Sequence, residues 1–251
     1  MPIAVIFPVV TPAYLGAGAK NTSRAYAKID GREVFLRCVE LFAQRDQVTQ
    51  RIVVVPPDDM ELMAERYSAH LGFQGVTVSG GGSDWFGCVA RALEKLDAAI
   101  DTVIIHDGCC PAVPFTLLDS LEEALARNKS AAGVVPVLPT RAAYADVTPT
   151  ASGGGVVAEY VDMAKVMEVQ SPQIFSRKPL TDAYAARGSS TYVDDAELVQ
   201  VTGGKIATVP GSRYNLRIDS DELVRLGKDL LEHMPKPKSK TPLTPFGEAE
   251  W

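Results

Sequence analysis

The sequence predicts an α/β fold: a mostly parallel, twisted sheet with helices on both faces. Two observations carry this expectation. Short apolar runs rich in Val and Ile recur through residues 3–138, of the length (about four to eight residues) typical of strands buried on both faces. Between them lie segments whose apolar residues fall at helical spacing, so strands and helices alternate, as in a parallel sheet covered on both sides.

The elements follow in order. Residues 3–10 read as a buried strand and residues 34–44 as a helix, with Val34, Cys38, Leu41 and Phe42 on one face. A strand at 52–55 precedes Pro56 and Pro57, and a helix spans 60–71. A short strand at 76–78 leads to a helix at 85–96, a strand at 102–105 to a helix at 117–126, and a further strand spans 133–138. Residues 140–165 are rich in Thr, Ala, Ser and Gly, and Val156, Val157, Tyr160 and Val161 offer apolar groups to bury. This stretch is expected to form a protruding arm with a strand near 156–161. Regular structure resumes with a helix at 194–201, strands at 206–209 and 215–218, and a helix at 221–232. Residues 1–234 are expected to form one domain, and the Pro- and Lys-rich residues 235–251 a flexible tail.

Bulk properties exclude several functions. With 251 residues and 46% hydrophobic side chains, the chain can bury a substantial core. A net charge of -6 argues against nucleic acid and anionic membranes as partners. A small nucleotide is compatible, because a phosphate pocket needs only a few local donors. Cys38, Cys88, Cys109 and Cys110 match no zinc spacing and are too few for a disulfide scaffold. The run at 3–10 is too short to span a bilayer and no basic segment precedes it. A reduced, cytoplasmic protein is expected.

In open α/β sheets, ligands bind at the carboxyl ends of the strands. This singles out loops 11–24, 80–88, 107–114, 139–145 and 210–219. The first contains Gly16 and Gly18, which let backbone amides approach an anion, with Lys20, Arg24 and Lys28 nearby to neutralise charge. It does not match the phosphate loop ending in Gly-Lys-Ser/Thr. The motif HDGCCP (106–111) places Asp107 at a strand end, where an acid can meet a ribose or a metal–triphosphate, or simply cap a turn. GGSDWFGCV (81–89), QSPQIF (170–175), YVDDAELV (192–199) and PGSRYNLRIDSDEL (210–223) complete the set.

In this order the motifs resemble the 2-C-methyl-D-erythritol 4-phosphate cytidylyltransferases, from Ile3 to about Leu231. The resemblance implies a Rossmann-like nucleotidyltransferase fold and a homodimer with arms exchanged between subunits. It implies a reaction joining CTP to a polyol phosphate with Mg²⁺ and release of pyrophosphate. It implies nucleotide contacts at Val9, Val10, Thr11, Gly16, Gly18, Gly81, Gly82, Ser83, Cys88 and Asp107, with Asp107 also nearest the metal. Acceptor contacts would come from Asp107, Cys110, Ser171, Val193, Asp194 and Arg217. Catalytic cations would be Arg217 and, in the first loop, Lys20 or Arg24, between which the register does not choose.

Several positions depart from the family pattern. Tyr14, Trp85 and Cys110 stand where the family carries Arg, Cys88 replaces a Ser, and Met163 replaces the arm's Arg. Ser171 keeps a hydroxyl in place of Thr, Val193 replaces a Thr, and Arg217 keeps the charge of a Lys. Bringing two phosphates together requires cations, so these departures imply weakened transfer, a different acceptor, or a paralogue that binds a nucleotide or protein partner without reaction.

Overall fold

The computed structural model describes residues 2–15, 24–151 and 153–235. In chain order the strands and helices are β1 (Ile3–Pro8), β2 (Lys28–Ile29), β3 (Arg32–Glu33), α1 (Val34–Ala43), β4 (Val48–Val55), α2 (Met60–Arg66), α3 (Ser68–Phe73), β5 (Val76–Gly80), α4 (Trp85–Leu93), β6 (Thr102–Ile105), α5 (Phe115–Arg127), β7 (Gly133–Pro139), β8 (Ala145–Pro149), β9 (Gly155–Tyr160), β10 (Met167–Val169), β11 (Gln173–Ser176), α6 (Arg177–Ala186), α7 (Asp195–Val201), β12 (Ile206–Pro210) and α8 (Asp221–His233). The main sheet runs β10-β7-β11-β6-β1-β4-β5, with β12 also paired to β7. β5, β4, β1 and β6 are mutually parallel, so their carboxyl ends open on one edge of the sheet.

β1 is central because every one of its residues is buried. Its alternation divides the core into two layers, as strand geometry requires. Ile3, Val5 and Phe7 pack with Phe35, Val39 and Phe42 of α1 and with Leu118 and Leu121 of α5. Ala4 and Ile6 face the other way, onto Phe86 and Val89 of α4, Leu180 of α6 and Leu198 of α7. Each fully buried Phe or Leu contributes roughly 1.5–3 kcal/mol, which holds the parallel strands in register.

Two expectations are corrected and two strands are added. The helix expected over 60–71 is broken at Tyr67, whose φ of -124° leaves the helical region, giving α2 and α3. Residues 215–218 do not form a strand. The Ile218 amide donates to Cys109 O (2.8 Å) and the Leu216 amide to Tyr214 O (2.8 Å), so no ladder develops. Ile218 instead buries against Ile29 and Val34. The segment containing QSPQIF holds two strands that the sequence pattern did not reveal. β10 and β11 both run antiparallel to β7, at Val137–Pro139 and Gly133–Val134 respectively, and Ser171 and Pro172 form the break between them.

The hairpin β8–β9 stands apart from the main sheet. Its β9 residues are exposed throughout, including Val156, Val157 and Tyr160.

Candidate functional site

A cavity of about 520 Å³ opens at the carboxyl ends of the parallel strands. Its lining includes Pro12 and Tyr14 after β1, Trp85 at the start of α4, Asp107 and Cys110 after β6, Glu168 of β10, Ser171, and Gln173 of β11. Val193, Asp194 and Asp195 at the start of α7, and Asn215, Arg217 and Asp219 ahead of α8, close it. Residues more than a hundred positions apart in sequence are thus brought together by the topology.

Asp107 and Arg217 form the central charged pair. Arg217 Nε donates to Asp107 Oδ2 at 2.7 Å, and the Cys109 amide donates to Asp107 Oδ1 at 2.8 Å. Burial works against the guanidinium's charge, but the adjacent Asp107 carboxylate more than restores it, so Arg217 stays cationic. A weaker approach to Asp219, 3.9 Å from Arg217 Nη1, adds a second carboxylate. Cys110 lies at the same turn; burial first, and then Asp107, push its thiol well above its ordinary pKa, so it is a protonated lining group.

Ser171 sits in a hydrogen-bond chain. The Asp107 amide donates to Ser171 Oγ at 2.8 Å, and Ser171 Oγ lies 3.2 Å from His106 Nδ1. His106 Nε2 is 3.0 Å from Cys110 O. Asn215 Nδ2 donates to the Ser171 carbonyl.

A second network lies at the α7 end. Asp194 caps α7 by accepting from the Glu197 amide (2.8 Å) and takes a hydrogen bond from Gln173 Nε2 (2.7 Å). Asp195 is buried and accepts from Trp85 Nε1 (2.9 Å) and Tyr184 Oη (2.5 Å). Burial raises Asp195 to about 6, against the opposing pull of the Tyr184 and Trp85 hydrogen bonds. Trp85 therefore binds a buried carboxylate rather than offering charge to a ligand.

The structure gathers six of the expected acceptor-side residues at this cavity: Asp107, Cys110, Ser171, Val193, Asp194 and Arg217. Other expected contacts lie elsewhere. Val9 and Val10 are core residues, and the Val9 amide donates to Val54 O at 2.9 Å, so it extends the sheet. Thr11 follows them outside the cavity lining. Gly81, Gly82, Ser83 and Cys88 surround the β5–α4 turn, where Cys88 Sγ donates to Gly82 O at 3.2 Å. A Cβ on Gly82 would fall 2.7 Å from Gly87 Cα, so the close approach of the β5–α4 turn to the first turn of α4 requires a glycine here. Arg24 pairs with Asp221 of α8 at 2.9 Å and is absent from the cavity lining. Gly16, Gly18 and Lys20 lie outside the described residues.

Sequence reasoning missed Glu168, Gln173, Asn215 and the structural use of Asp195 as site features. The Asp194–Asp195 doublet did carry a usable signal: the first acid is a helix cap, and the second, one position inside the helix, turns toward the core.

Among the described residues no group of three or more His, Cys, Asp or Glu could hold a metal ion. Mg²⁺ in phosphoryl-transfer sites is commonly held by one or two carboxylates together with substrate phosphates. Asp107 fits that limited role, because it is a carboxylate lining the cavity whose oxygens each accept one described hydrogen bond.

A mixed sheet with parallel central strands, helices on both faces and a cavity at the strand ends is a Rossmann-like α/β fold. The family model described as "IspD: 2-C-methyl-D-erythritol 4-phosphate cytidylyltransferase" matches residues 7–232, and the chain belongs to that family. It is 30% identical over 217 residues to the 2-C-methyl-D-erythritol 4-phosphate cytidylyltransferase of Frankia casuarinae, covering 86% of this chain and 76% of that protein. It is 33% identical to the bifunctional enzyme IspD/IspF of Anaeromyxobacter dehalogenans, with 87% of this chain aligned to 56% of that longer protein. The chain thus spans about half the length of such bifunctional relatives. The crystal structure of 2-C-methyl-D-erythritol 4-phosphate cytidylyltransferase from Thermus thermophilus superposes with a TM-score of 0.70 at 26% identity, covering 92% of this chain and all of that one (100%).

Proposed function

We propose that this chain joins the cytidylyl group of CTP to the phosphate of a polyol phosphate, 2-C-methyl-D-erythritol 4-phosphate by its family, and releases pyrophosphate. The observation that supports this reading is the convergence of Asp107, Ser171, Asp194 and Arg217 on one cavity at the strand ends. An acceptor phosphate oxygen would form a bond to the α-phosphorus of CTP while the bond to the bridging oxygen of the β-phosphate breaks and its electron pair leaves on pyrophosphate. No covalent enzyme intermediate is needed, so the protein contributes positioning and charge. Arg217 would stabilise the charge that gathers on the transferring group. Mg²⁺, held at Asp107 and the nucleotide phosphates, would supply further neutralisation.

The same cavity supports a low efficiency. Arg217 is the cation among its described lining residues and already faces Asp107 and Asp219. Losing one cation on a transferring phosphate commonly costs two or more orders of magnitude in rate. This favours, as a second reading, a paralogue that binds nucleotide without transfer. Calorimetry with CTP and pyrophosphate release with 2-C-methyl-D-erythritol 4-phosphate and Mg²⁺ separate the two. Binding with turnover supports the first, and binding without turnover the second.

The β8–β9 hairpin would form the arm exchanged within a homodimer. Exposed Val147, Val156, Val157 and Tyr160 support this, since a solitary two-stranded hairpin is marginal in water. Sedimentation at micromolar concentration should give a dimer, and a monomer would refute the arm's role. No described helix is long and apolar enough to cross a membrane.

A further inference from the structure

We propose that His106 is a positioning residue that fixes Ser171 as a hydrogen-bond acceptor toward the cavity, so that the cavity takes its ligand through hydroxyl donors, as a polyol presents them. The inference rests on the polyol-phosphate reading above and specifies which part of that acceptor this chain recognises.

The hydrogen-bond chain has one consistent arrangement. A backbone carbonyl only accepts, so the 3.0 Å contact with Cys110 O places the proton of His106 on Nε2. Nδ1 of the neutral ring is then bare and accepts from Ser171, whose single hydroxyl proton is committed to it across 3.2 Å. The Asp107 amide fills one Ser171 lone pair. What Ser171 retains for the cavity is its other lone pair, which can receive a hydrogen bond and cannot donate one to a phosphate.

The ring cannot easily leave this arrangement. His106 is fully buried, edge-on to Phe7 (centroids 6.0 Å apart) and tilted against Phe42 (5.2 Å). With Nε2–H held by Cys110 O at 3.0 Å and the ring sealed from solvent, the Ser171 bond keeps its direction.

The neighbouring groups present the same polarity. Gln173 spends Nε2 on Asp194 and Asn215 spends Nδ2 on the Ser171 carbonyl, which fixes the orientation of both amides. Their oxygens, Gln173 Oε1 and Asn215 Oδ1, are buried acceptors without a hydrogen-bond donor. These two oxygens are closed off from the cavity space, each exposing less than 1 Å²; the acceptor-only side chains that line it are the carboxylates of Glu168, Asp194 and Asp219. Carboxylates beside the Ser171 lone pair are satisfied by O–H donors, which leaves an acceptor's phosphate to the Arg217 guanidinium at the same cavity.

The test uses meso-erythritol as the uncharged polyol and inorganic phosphate as the anion, on the full-length protein labelled with ¹⁵N. Long-range proton–nitrogen spectra of His106 should show Nε2 protonated and Nδ1 bare at neutral pH, with Nδ1 shifting on addition of erythritol and not of phosphate. Ser171→Ala should weaken erythritol binding about 10-fold. His106→Phe, which removes the acceptor, should do the same, while His106→Asn, which restores an acceptor near Nδ1, should recover most of it. A purely structural role for His106 would not separate the Phe and Asn variants. Parental erythritol affinity in Ser171→Ala, a protonated Nδ1, or a stronger response to phosphate than to erythritol would each overturn the inference. CTP binding measured on the same samples tests the cytidylyltransferase reading independently, because erythritol binding requires neither CTP nor turnover.

Discussion

Replacing Arg217 with Met isolates the energetic role of the charged pair at the centre of the cavity. Asp107 is almost wholly buried, at 4% exposure, and Arg217 Nε donates to its Oδ2 at 2.7 Å. Met fills much of the aliphatic volume but leaves the carboxylate with the Cys109 amide as its remaining described donor. Breaking a buried ion pair from one side typically costs 3–5 kcal/mol. Water in the cavity discounts this, since the Arg217 side chain is 16% exposed, and a loss of about 2–4 kcal/mol is expected. With a urea m-value of roughly 3 kcal/mol/M, the unfolding midpoint should fall by about 1 M at unchanged slope. The double variant Asp107→Asn/Arg217→Met keeps an acceptor for the Cys109 amide and carries no unpaired charge, so most of the loss should be recovered. A single variant within about 0.5 kcal/mol of the parent, the usual scale of a surface substitution, would refute this reasoning. So would a double variant as unstable as the sum of the two single ones.

Burial and packing elsewhere in the site give further expected outcomes. Asp195 is raised to about 6 in the folded protein against an ordinary 3.8, so its folded state favours the proton. That contribution is complete below about pH 4 and is lost as pH rises through about 6, amounting to on the order of 3 kcal/mol. Asp195→Asn should therefore gain stability relative to the parent between pH 4 and 7 in urea titrations, and a pH-independent difference would contradict the assignment. His106, held down at about 3, acts in the opposite sense: stability present above about pH 6.5 should be lost as pH falls toward 3. His106→Asn should flatten that acid limb, and an unchanged limb would count against a neutral buried ring. Gly82→Ala should cost about 1–3 kcal/mol in thermal or urea unfolding, because the added Cβ meets backbone 2.7 Å away at Gly87. A neutral effect there would show that the β5–α4 turn relaxes more freely than its packing implies.

The parallel strands were legible in the sequence because burial on both faces leaves near-continuous apolar runs such as Ile52 to Val55. The order of the motifs likewise located Asp107, Ser171, Asp194 and Arg217. What the sequence concealed depends on long-range partners. The alternation around Leu216 and Ile218 suggested a strand, yet Ile218 is drawn into a small core with Ile29 and Val34 and no neighbouring strand is available among the described residues. β10 and β11 were missed because the break at Ser171 and Pro172 interrupts their periodicity, and their pairing with β7 is visible only in three dimensions. Trp85 read as a lost cation. Its indole in fact satisfies a buried carboxylate 110 positions away, a relation no local pattern records. The bare lone pairs of Gln173 and Asn215 were hidden for the same reason: an amide's free end is known only when its other end has a partner.

The proposed reaction stands or falls on pyrophosphate release from CTP with 2-C-methyl-D-erythritol 4-phosphate and Mg²⁺, comparing the parent with Arg217→Met. The cavity's chemistry predicts CTP-dependent turnover by the parent with a high KM for the acceptor, and a loss of at least about 100-fold in kcat/KM on removing its described cation. Release at an equal rate in the variant, or a parent protein that binds no CTP, would contradict it.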